Sequence, residues 1–391
     1  MKQSTNRILT THVGSLPRPP DLLAMIQAKE RGEAIDTAAF QDRVARAVGE
    51  VVARQAECGI DIVADGEMGR FGFIPYVNER LSGLEPRPNP GGEGTWARSR
   101  EYLAFPEYYA WWSQMPGTAG RAPPTRWVCT GPVAYRGHAA LQRDIANLKA
   151  AMVGKRCEEA FMPAVSPSQL AGWNRNEYYR TDEEFRVALA EALNEEYKAI
   201  VAAGLVLQID DPQLASQYTT HPEFDIADCR KSAQATVELL NHALAGIPPE
   251  QVRYHTCYGI NIGPRVHELE LQHIADVMLG VNAGAYSFEA ANPRHEHEWR
   301  VWESVKLPPG KVLIPGVITH SSNIVEHPEV VAQRIARFAD VVGRERVIAG
   351  ADCGFASFST SCEVHPTVVW AKLAALAEGA RIASQALWGK A

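Results

Sequence analysis

The chain has 391 residues, of which 46% are hydrophobic and 22% charged, and its formal net charge is -7. This composition is that of an ordinary globular protein with enough apolar residues for a large core, and it argues against a disordered chain. The acidic balance does not provide the basic field that holds a nucleic-acid backbone. We therefore expect small-molecule partners and no nucleic acid.

The amino terminus and the cysteines predict a cytoplasmic protein. No segment approaches the roughly 18 apolar residues that a membrane helix needs, and MKQSTNRILTTHVGS lacks the apolar core of a secretory signal. Seven cysteines are an odd number for a disulfide framework, and they are scattered along the chain. Most should be reduced thiols. We expect no membrane partner.

Short β-branched segments alternate with long amphipathic stretches along the chain. Nine segments are candidate strands: ILTTHV, DIVADGE, RWVCTG, AFMPAV, LVLQIDD, VRYHTCY, AYSFEA, VLIPGV and RVIAGAD. Residues 42–58, 182–203 and 328–342 show the apolar spacing of helices. Repeated strand and helix units, about eight of them, predict a (β/α)8 TIM barrel rather than a doubly wound sheet. The extra segment should be a strand outside the barrel or a mis-assigned segment.

Residues 85–124 interrupt this alternation with a stretch rich in Pro, Gly and Trp that has no clear period. We interpret it as a long βα insertion in a single catalytic domain spanning residues 1–391. Such loops lie over the mouth of a barrel, so we expect a lid or a wall of the substrate site. A contact between the subunits of a homo-oligomer is the alternative.

His255 and Cys257 are separated by one residue, so both side chains project to the same face of an extended strand. Such a pair alone is more often coincidence or packing than a metal site. Glu289 and Cys353, however, also follow predicted strands, and a closed barrel gathers strand ends around one axis. Two thiolates, an imidazole and a carboxylate favour zinc. We therefore predict a Zn²⁺ site formed by His255, Cys257, Glu289 and Cys353.

The position of this set predicts its chemistry. Four protein ligands are typical of a structural site, but a weak carboxylate ligand at a barrel mouth could exchange for a substrate sulfur. A metal ion strips the proton from a thiol of ordinary pKa about 8.5. A zinc-dependent thiol S-alkyltransferase is thus predicted. A zinc-stabilised barrel that binds a thiol or amino acid without transfer is one alternative, and a metal-free decarboxylase on the same fold is another.

The motifs TTHVGSLPRP, DGE, QIDDP, HTCY, SFEA and ADCGF occur in this order. They resemble the catalytic barrel of cobalamin-independent methionine synthase, and the resemblance covers nearly the whole chain. It implies methyl transfer to homocysteine or a similar thiol, zinc on the four residues named above, and a substrate amino acid held by Ser15, Glu67 and Asp210. The alternatives are an ion pair with Arg70 for Glu67 and turn capping for Asp210 and Asp211.

The resemblance also implies roles for a histidine and a tryptophan. His320, in GVITHSSN, matches the histidine that would protonate the leaving group of a methyl donor; His12, His295, His297 and His327 are the competing histidines. Trp173, at the end of MPAVSPSQLAGW, matches an aromatic platform for the pterin of a folate. A structural tryptophan is the alternative.

One segment departs from the family's pattern and leaves the alkyl donor open. EAANPRHEHEW begins directly after Glu289 and changes one wall of the predicted site. Short, single-barrel chains of this kind also resemble epoxyalkane:coenzyme M transferase, in which a zinc-activated thiol opens an epoxide. The sulfonate of that thiol would need guanidinium groups, and Arg18, Arg70 and Arg294 lie near motifs. Ordinary salt bridges are the alternative for each.

Overall fold

A computed structural model describes residues 1–89, 97–114, 125–259, 262–361 and 363–389. The strands of these residues are β1 (Leu9–Thr10), β2 (Ile62–Val63), β3 (Leu84–Pro88), β4 (Thr125–Cys129), β5 (Glu159–Val165), β6 (Arg175–Asn176), β7 (Val206–Asp210), β8 (Val252–His255), β9 (Ala285–Phe288), β10 (Val312–Ile318) and β11 (Ile348–Ala351).

The helices are α1 (Pro20–Glu30), α2 (Thr37–Glu57), α3 (Pro75–Asn78), α4 (Arg100–Ala104), α5 (Pro106–Trp112), α6 (His138–Met152), α7 (Pro167–Trp173), α8 (Asp182–Ala202), α9 (Gln213–Thr220), α10 (Ile226–Ala243), α11 (Ala275–Met278), α12 (Val301–Ser304), α13 (Pro328–Val342) and α14 (Pro366–Trp388). Four short 3-10 helices span Pro249–Gln251, Leu271–His273, Glu296–Arg300 and Arg344–Arg346. In the part of the chain that the structure describes, no helix is both long and apolar enough to cross a membrane.

Eight strands form one sheet in the order β1-β11-β10-β9-β8-β7-β5-β2. Neighbouring strands pair in parallel, and a parallel bridge between Thr11 and Ile62 joins the two ends of the series. The sheet therefore closes into a barrel with the helices around it. The predicted (β/α)8 TIM barrel is confirmed.

The extra candidate strand, RWVCTG, lies outside this barrel. It is β4, which pairs with β3 in antiparallel and with β6 in parallel register to form a separate three-stranded sheet. Of the two interpretations of the ninth segment, a strand outside the barrel is the one that the structure shows.

The long predicted helices follow from apolar spacing and defined ends. α2, α8 and α13 coincide with the three amphipathic stretches to within a few residues. Asp36 is the N-cap of α2, and its carboxylate accepts hydrogen bonds from two backbone N–H groups of the first turn. Thr181 is the N-cap of α8, and its hydroxyl accepts a hydrogen bond from a backbone N–H of the first turn. Each helix packs its apolar face against the barrel, which fixes where each preceding and following strand ends.

Small and β-branched side chains fill the barrel interior. A buried cluster contributed by seven barrel strands and the residue after β2 consists of Leu9, Ile62, Ala64, Phe161, Val206, Ala285, Val312, Ile314 and Ile348. Arg253 is also buried there, with its guanidinium 3.9 Å from the ring centroid of Phe161 and its two terminal nitrogens bonded to Thr11 and His12. The barrel interior is therefore a packed core.

The predicted insertion at residues 85–124 is described in part. Residues 90–96 and 115–124 lie outside the described residues, whereas β3, α4 and α5 lie inside them. The Glu101 carboxylate of α4 accepts a 2.5 Å hydrogen bond from the backbone N–H of His267, and the Tyr108 hydroxyl of α5 donates to the Ile262 carbonyl at 3.1 Å. The two helices therefore pack on the loop that follows β8.

Candidate metal centre and substrate cavity

Two cysteines and one histidine meet at the carboxyl-terminal rim of the barrel. His255 is the last residue of β8, Cys257 follows two residues later, and Cys353 comes two residues after the end of β11. The three possible ligand atoms lie within 4.8 Å of one another, and the two Sγ atoms are 3.4 Å apart. The structure thus brings together three of the four predicted zinc ligands.

The His255 ring is oriented for a ligand. Its Nδ1 lies 3.1 Å from the Ser287 hydroxyl on the adjacent strand, while its Nε2 is buried with no hydrogen-bond partner. Burial, and then the charge of Arg253, lower the pKa of His255 to about 3, so the ring is neutral. A neutral imidazole whose second nitrogen is held by a hydrogen bond is the form that binds metals.

The two thiols complete a donor set that suits zinc. All three side chains are buried, and the hydrogen bond to Cys257 together with burial raises the pKa of the Cys353 thiol well above its ordinary value. A thiolate pair at this position therefore needs a cation to form. Two sulfurs and an unpartnered imidazole nitrogen at these distances are the donor types that Zn²⁺ prefers, so these three residues could hold the ion.

The fourth predicted ligand, Glu289, belongs to an adjoining group. Its carboxylate oxygen lies within 4.8 Å of possible ligand atoms of His320 and Asp352, and it is not part of the His255 group. One oxygen accepts a hydrogen bond from the Tyr258 N–H at 2.8 Å, and the other forms an ion pair with Arg265 at 2.6 Å. The structure does not bring Glu289 into the thiol and imidazole set, and its role as a ligand stays a prediction.

His320, the predicted general acid, lies beside this second group. The residue is buried, and neither ring nitrogen has a hydrogen-bond partner among the described residues. Burial, and then the charge of Arg265, lower the pKa of His320 to about 4. In the absence of bound molecules the ring is thus neutral, and its catalytic role stays a prediction.

Asp352 holds the backbone of the residues that directly follow Glu289. Its carboxylate accepts hydrogen bonds of 2.7 to 3.0 Å from the backbone N–H groups of Ala290, Ala291 and Asn292. This approach requires a glycine on β10, because a Cβ on Gly316 would lie 2.1 Å from a carboxylate oxygen of Asp352. Asp352 therefore holds the backbone that follows Glu289 in place.

A small cavity of about 50 Å³ opens on the thiols. It is lined by Val13, Ser15, Glu67, Phe73, Asp210, Pro212, His255, Cys257, Gly259, Cys353, Gly354 and Ser357. Three of the four predicted substrate residues are in this lining, next to the three rim ligands. Within the described residues the lining has two carboxylates and neither arginine nor lysine, so it favours a cationic group such as an ammonium.

Glu67 points a free carboxylate oxygen into a buried site. Its Oε2 has no hydrogen-bond partner, and its backbone is held at φ 57°, a left-handed conformation that is uncommon outside glycine. Burial raises its pKa to about 7, against the lowering effect of Arg70. The alternative of a salt bridge between the two is not what the structure shows, since the Arg70 guanidinium donates to the Pro163 carbonyl and stacks on Tyr76.

Asp210 and Asp211 have separate roles. Asp210 lines the cavity and accepts a 2.7 Å hydrogen bond from the Gln208 amide, and burial followed by the charge of Glu67 raises its pKa well above the ordinary value. Asp211 instead interacts with Ser166, the Tyr254 hydroxyl and the backbone at Gln213, and its pKa is raised to about 6 by burial. Capping of the following turn therefore describes Asp211, and Asp210 remains free for a ligand.

Ser15 is held at the cavity by the chain around Cys353. Its carbonyl accepts a 3.0 Å hydrogen bond from the Phe355 N–H, and its hydroxyl lies 3.4 Å from both the Ser357 hydroxyl and the Ala356 N–H. A Cβ on Gly354 would lie 2.1 Å from the Ser15 hydroxyl oxygen, so a glycine is required at that position. Ser15 can thus offer its hydroxyl to a bound molecule.

Trp173 lies outside the cavity lining. The half-buried ring, at the end of α7, stacks on Phe358 with centroids 5.9 Å apart, and Phe358 contacts Phe73, which lines the cavity. The three rings form a continuous aromatic surface that reaches the cavity. A role of Trp173 in stacking on a ligand stays a prediction.

Several residues of the site were not singled out from the sequence. Ser357, Phe73 and Ser287 contact the cavity or its histidine, and Arg265 and Asn292 hold Glu289. Ser357 and Asn292 lie within the flanks of motifs, where spacing could have found them. Arg265 lies in an irregular segment that has no sequence signal.

The arginines that were considered for binding an anionic substrate form hydrogen bonds to backbone carbonyls instead. Arg18 donates to the carbonyls of Ala356 and Glu67, and Arg294 donates to the carbonyl of Val266. None of these arginines, nor Arg70, lines the cavity beside the thiols.

Fold and site together define a TIM-barrel protein with a thiol and imidazole centre at its carboxyl-terminal rim. The family model described as "Cobalamin-independent synthase, Catalytic domain" matches residues 8–89 and 167–375, and the chain belongs to this family. The resemblance seen in the motifs is thereby confirmed. The unmatched residues between the two matched ranges include α4, α5, β4, α6 and β5.

Curated relatives and solved structures agree with this membership. The chain is 25% identical over 358 residues to a methionine synthase of Thermococcus kodakarensis, covering 88% of this chain and 86% of the relative. It is 25% identical over 382 residues to a methionine synthase of Saccharolobus islandicus, covering 97% and 95%. The structure of a B12-independent methionine synthase from Shewanella sp. W3-18-1, in complex with selenomethionine, shares the fold with a TM-score of 0.73, 19% identity, and coverage of 98% and 100%.

Proposed function

We propose that the protein is a zinc-dependent thiol S-alkyltransferase that transfers a methyl group to homocysteine or a similar thiol. One observation carries this proposal: the cavity beside Cys257 and Cys353 is lined by two carboxylates, Glu67 and Asp210, and by no arginine or lysine of the described residues. A thiol amino acid has a sulfur, which suits the side of the cavity with the two cysteines, and an ammonium, which suits the side with the two carboxylates. The names of the methionine synthases of similar sequence support the same substrate.

The zinc ion would be held by His255, Cys257 and Cys353. Its positive charge would lower the pKa of a substrate thiol. Glu67 and Asp210 would pair with the substrate ammonium, and Ser15 would bond its carboxylate through the backbone and hydroxyl. These contacts would place the sulfur beside Cys257 and Cys353. Burial of the site excludes water, which strengthens each of these interactions.

The transfer forms one bond between sulfur and the methyl carbon and breaks the bond between that carbon and the donor. The thiol proton leaves the sulfur before attack, and the donor's leaving atom takes up a proton. His320, buried beside the centre, is our candidate for carrying that proton. The aromatic surface of Trp173, Phe358 and Phe73 is our candidate for holding a flat donor.

The absence of a described cation from the cavity argues against a sulfonate thiol. Epoxide opening by coenzyme M is therefore the second outcome of the test and not a second proposal. Protein is loaded with zinc and incubated with homocysteine and methyl-folate mono- and triglutamates, with homocysteine and simple methyl donors, and with epoxypropane and coenzyme M. The matched control is Cys257→Ser.

We expect methionine from one of the methyl donors and none from the control. A thioether from epoxypropane and coenzyme M would show the epoxide chemistry instead. Binding of homocysteine without any product from any donor would support a thiol-binding barrel that does not catalyse transfer, and would contradict the proposal.

A further inference from the structure

A second cavity, of about 560 Å³, is lined by α2, α6 and the segment that follows β2. We call it the outer cavity. It has no lining residue in common with the cavity beside the thiols. Its lining contains five cationic side chains, among them Arg70, Arg136 and Arg143. The outer cavity is therefore a separate site with its own charges.

Arg70 is the buried cation of this lining that is fixed by its neighbours. The residue is 4% exposed, and its Nη1 donates to the Pro163 carbonyl at 2.8 Å. Its guanidinium carbon lies 4.0 Å from the ring centroid of Tyr76. The Tyr76 hydroxyl donates to Glu196 at 2.8 Å, so the ring that supports the guanidinium is itself held. Arg70 is thus oriented before any ligand binds.

Two nitrogens of Arg70 have no partner. Nε and Nη2 are buried, and neither forms a hydrogen bond with a described residue. These two atoms form one edge of the guanidinium, the edge that can donate two parallel hydrogen bonds to a carboxylate or a phosphate. Buried donors of a cation that lack partners cost free energy. An oxyanion bound to this edge would remove that cost.

Two other cations of the lining already have carboxylate partners. Lys29 forms an ion pair with Glu79 at 2.7 Å. Arg80 forms ion pairs with Asp144 at 2.5 Å and with the fully buried Glu196 at 3.4 Å. These two cations therefore neutralise carboxylates of the protein itself.

Arg136 and Arg143 have no such partners. Both side chains are exposed, and neither forms a hydrogen bond or an ion pair with a described residue. The carboxylates that remain in the lining are those of Asp42, which is exposed, and Asp65, which accepts a 2.9 Å hydrogen bond from the Glu67 N–H. Together with Arg70, three guanidinium groups stand against two carboxylates, so the unpaired charge of the lining is positive.

Apolar side chains form another part of the wall. They come from α2, from the residues before it and from the segment after β2: Ile35, Phe40, Val44, Val48 and Phe71. A volume of this size is that of a small-molecule pocket. The lining therefore suits a molecule that has both an oxyanion group and an apolar body.

We propose that the outer cavity binds a small organic anion, whose carboxylate or phosphate group accepts hydrogen bonds from Nε and Nη2 of Arg70 and whose apolar body packs against α2. Arg136 and Arg143 attract the anion from the exposed part of the lining. The inference does not depend on the proposed function, because no candidate metal ligand and no residue of the cavity beside the thiols lines the outer cavity.

Calorimetric titration of the full-length, zinc-loaded protein tests the inference with three probes: inorganic phosphate, phenyl phosphate and phenylsuccinate. We expect one of the two aromatic probes to bind once per chain and at least about fivefold more tightly than inorganic phosphate, because its ring is buried against the apolar wall. Tighter binding of phenyl phosphate would identify the ligand as a phosphate, and tighter binding of phenylsuccinate would identify it as a carboxylate.

Arginine variants test the contacts. Arg70→Lys keeps the charge but loses the edge with two donors, so affinity for the aromatic probe should fall by about 10- to 100-fold. Arg136→Ala and Arg143→Ala should each weaken binding by about two- to fivefold, since both charges are exposed. Arg46→Ala, which removes an exposed arginine of α2 outside the lining, is the matched control and should stay within about twofold of wild type. If Arg70→Lys does not fold, the double variant of Arg136→Ala and Arg143→Ala decides.

The Cys257→Ser variant, without metal, shows where the probe binds. Its affinity for the aromatic probe should equal that of the wild type, because the outer cavity is separate from the thiols. Loss of binding in this variant would place the anion at the metal centre and overturn the inference. So would the absence of binding by all three probes, or unchanged affinity in folded Arg70→Lys or in the double variant. In each of these cases the proposed function would stand, since its test is the product formed from a methyl donor.

Discussion

The Sγ atoms of Cys257 and Cys353 lie 3.4 Å apart although 96 positions separate the two residues. Their strands, β8 and β11, are not neighbours, because β9 and β10 lie between them. The contact therefore depends on closure of the barrel and on the rim loops that turn inward. Two buried thiols at this distance, with an unpartnered imidazole nitrogen nearby, form a candidate site for a thiophilic cation.

Removing either thiol should abolish tight zinc binding. In Cys257→Ser and in Cys353→Ser we expect zinc affinity to fall by more than about 100-fold, because loss of an outer-shell partner alone costs 10- to 100-fold. Metal analysis and chelator competition measure this effect. Cys229→Ser changes a buried cysteine of helix α10 that belongs to neither candidate ligand group; this variant is the control and should bind zinc as the wild type does. Equal zinc content in all three variants would contradict the assignment of the site.

The hydroxyl of Ser287 should tune the metal through His255. It lies 3.1 Å from Nδ1 and leaves Nε2 free for the ion. Ser287→Ala should weaken zinc binding by about tenfold, the lower end of the effect of outer-shell partners, with little change in folding. Chelator competition gives the value. Affinity within twofold of wild type would show that the strand alone orients the ring.

Glu67 should make stability depend on pH. Its pKa is about 7 in the folded protein against an ordinary value of 4.5, so the folded state binds the proton more tightly. This contribution is fully present below pH 4.5 and is lost as the pH rises through about 7. In the neutral isostere Glu67→Gln that loss is absent. Relative to wild type, the variant should gain up to about 3 kcal/mol of unfolding free energy between pH 4.5 and pH 8.

Urea unfolding of metal-free protein at both pH values measures this difference. Metal-free protein is used because metal binding itself depends on pH through protonation of the metal ligands. A difference between Glu67→Gln and wild type that is the same at both pH values would show that Glu67 keeps an ordinary pKa.

Asp210 should bind the substrate ammonium, whereas its neighbour should not. Asp210→Asn is expected to weaken homocysteine binding by about 10- to 100-fold, the value of a hydrogen bond to a charged group, without loss of zinc. Asp211→Asn is the matched control, because Asp211 caps a turn and should affect the melting temperature more than the affinity. Calorimetric titration of both variants decides the matter. A larger loss of homocysteine affinity in Asp211→Asn than in Asp210→Asn would contradict the assignment of the ammonium to Asp210.

The sequence predicted the barrel because strand and helix spacing is a local property, and closure then follows from the number of units. It also predicted that His255 and Cys257 share a face, since that depends on a spacing of two in a strand. It could not predict the partner of Glu289. Arg265 approaches from an irregular segment in a left-handed conformation, and only the folded rim brings the two residues together.

The same limit applies to the roles of neighbouring residues. Asp210 and Asp211 are chemically identical in the sequence. Their separation into a cavity residue and a turn cap depends on β7 ending at Asp210, so that Asp211 belongs to the turn that follows. Trp173 was predicted from a motif, but its distance from the cavity depends on the packing of Phe358 between them.

Zinc K-edge X-ray absorption with and without homocysteine tests the central claim most directly. Zinc-loaded protein should show two sulfur neighbours, from Cys257 and Cys353, and a third sulfur should appear when homocysteine is added. Methionine, which has no thiol proton to lose, should leave the count at two. A sulfur count that stays at two with homocysteine demonstrably bound would contradict activation of the substrate thiol by the metal.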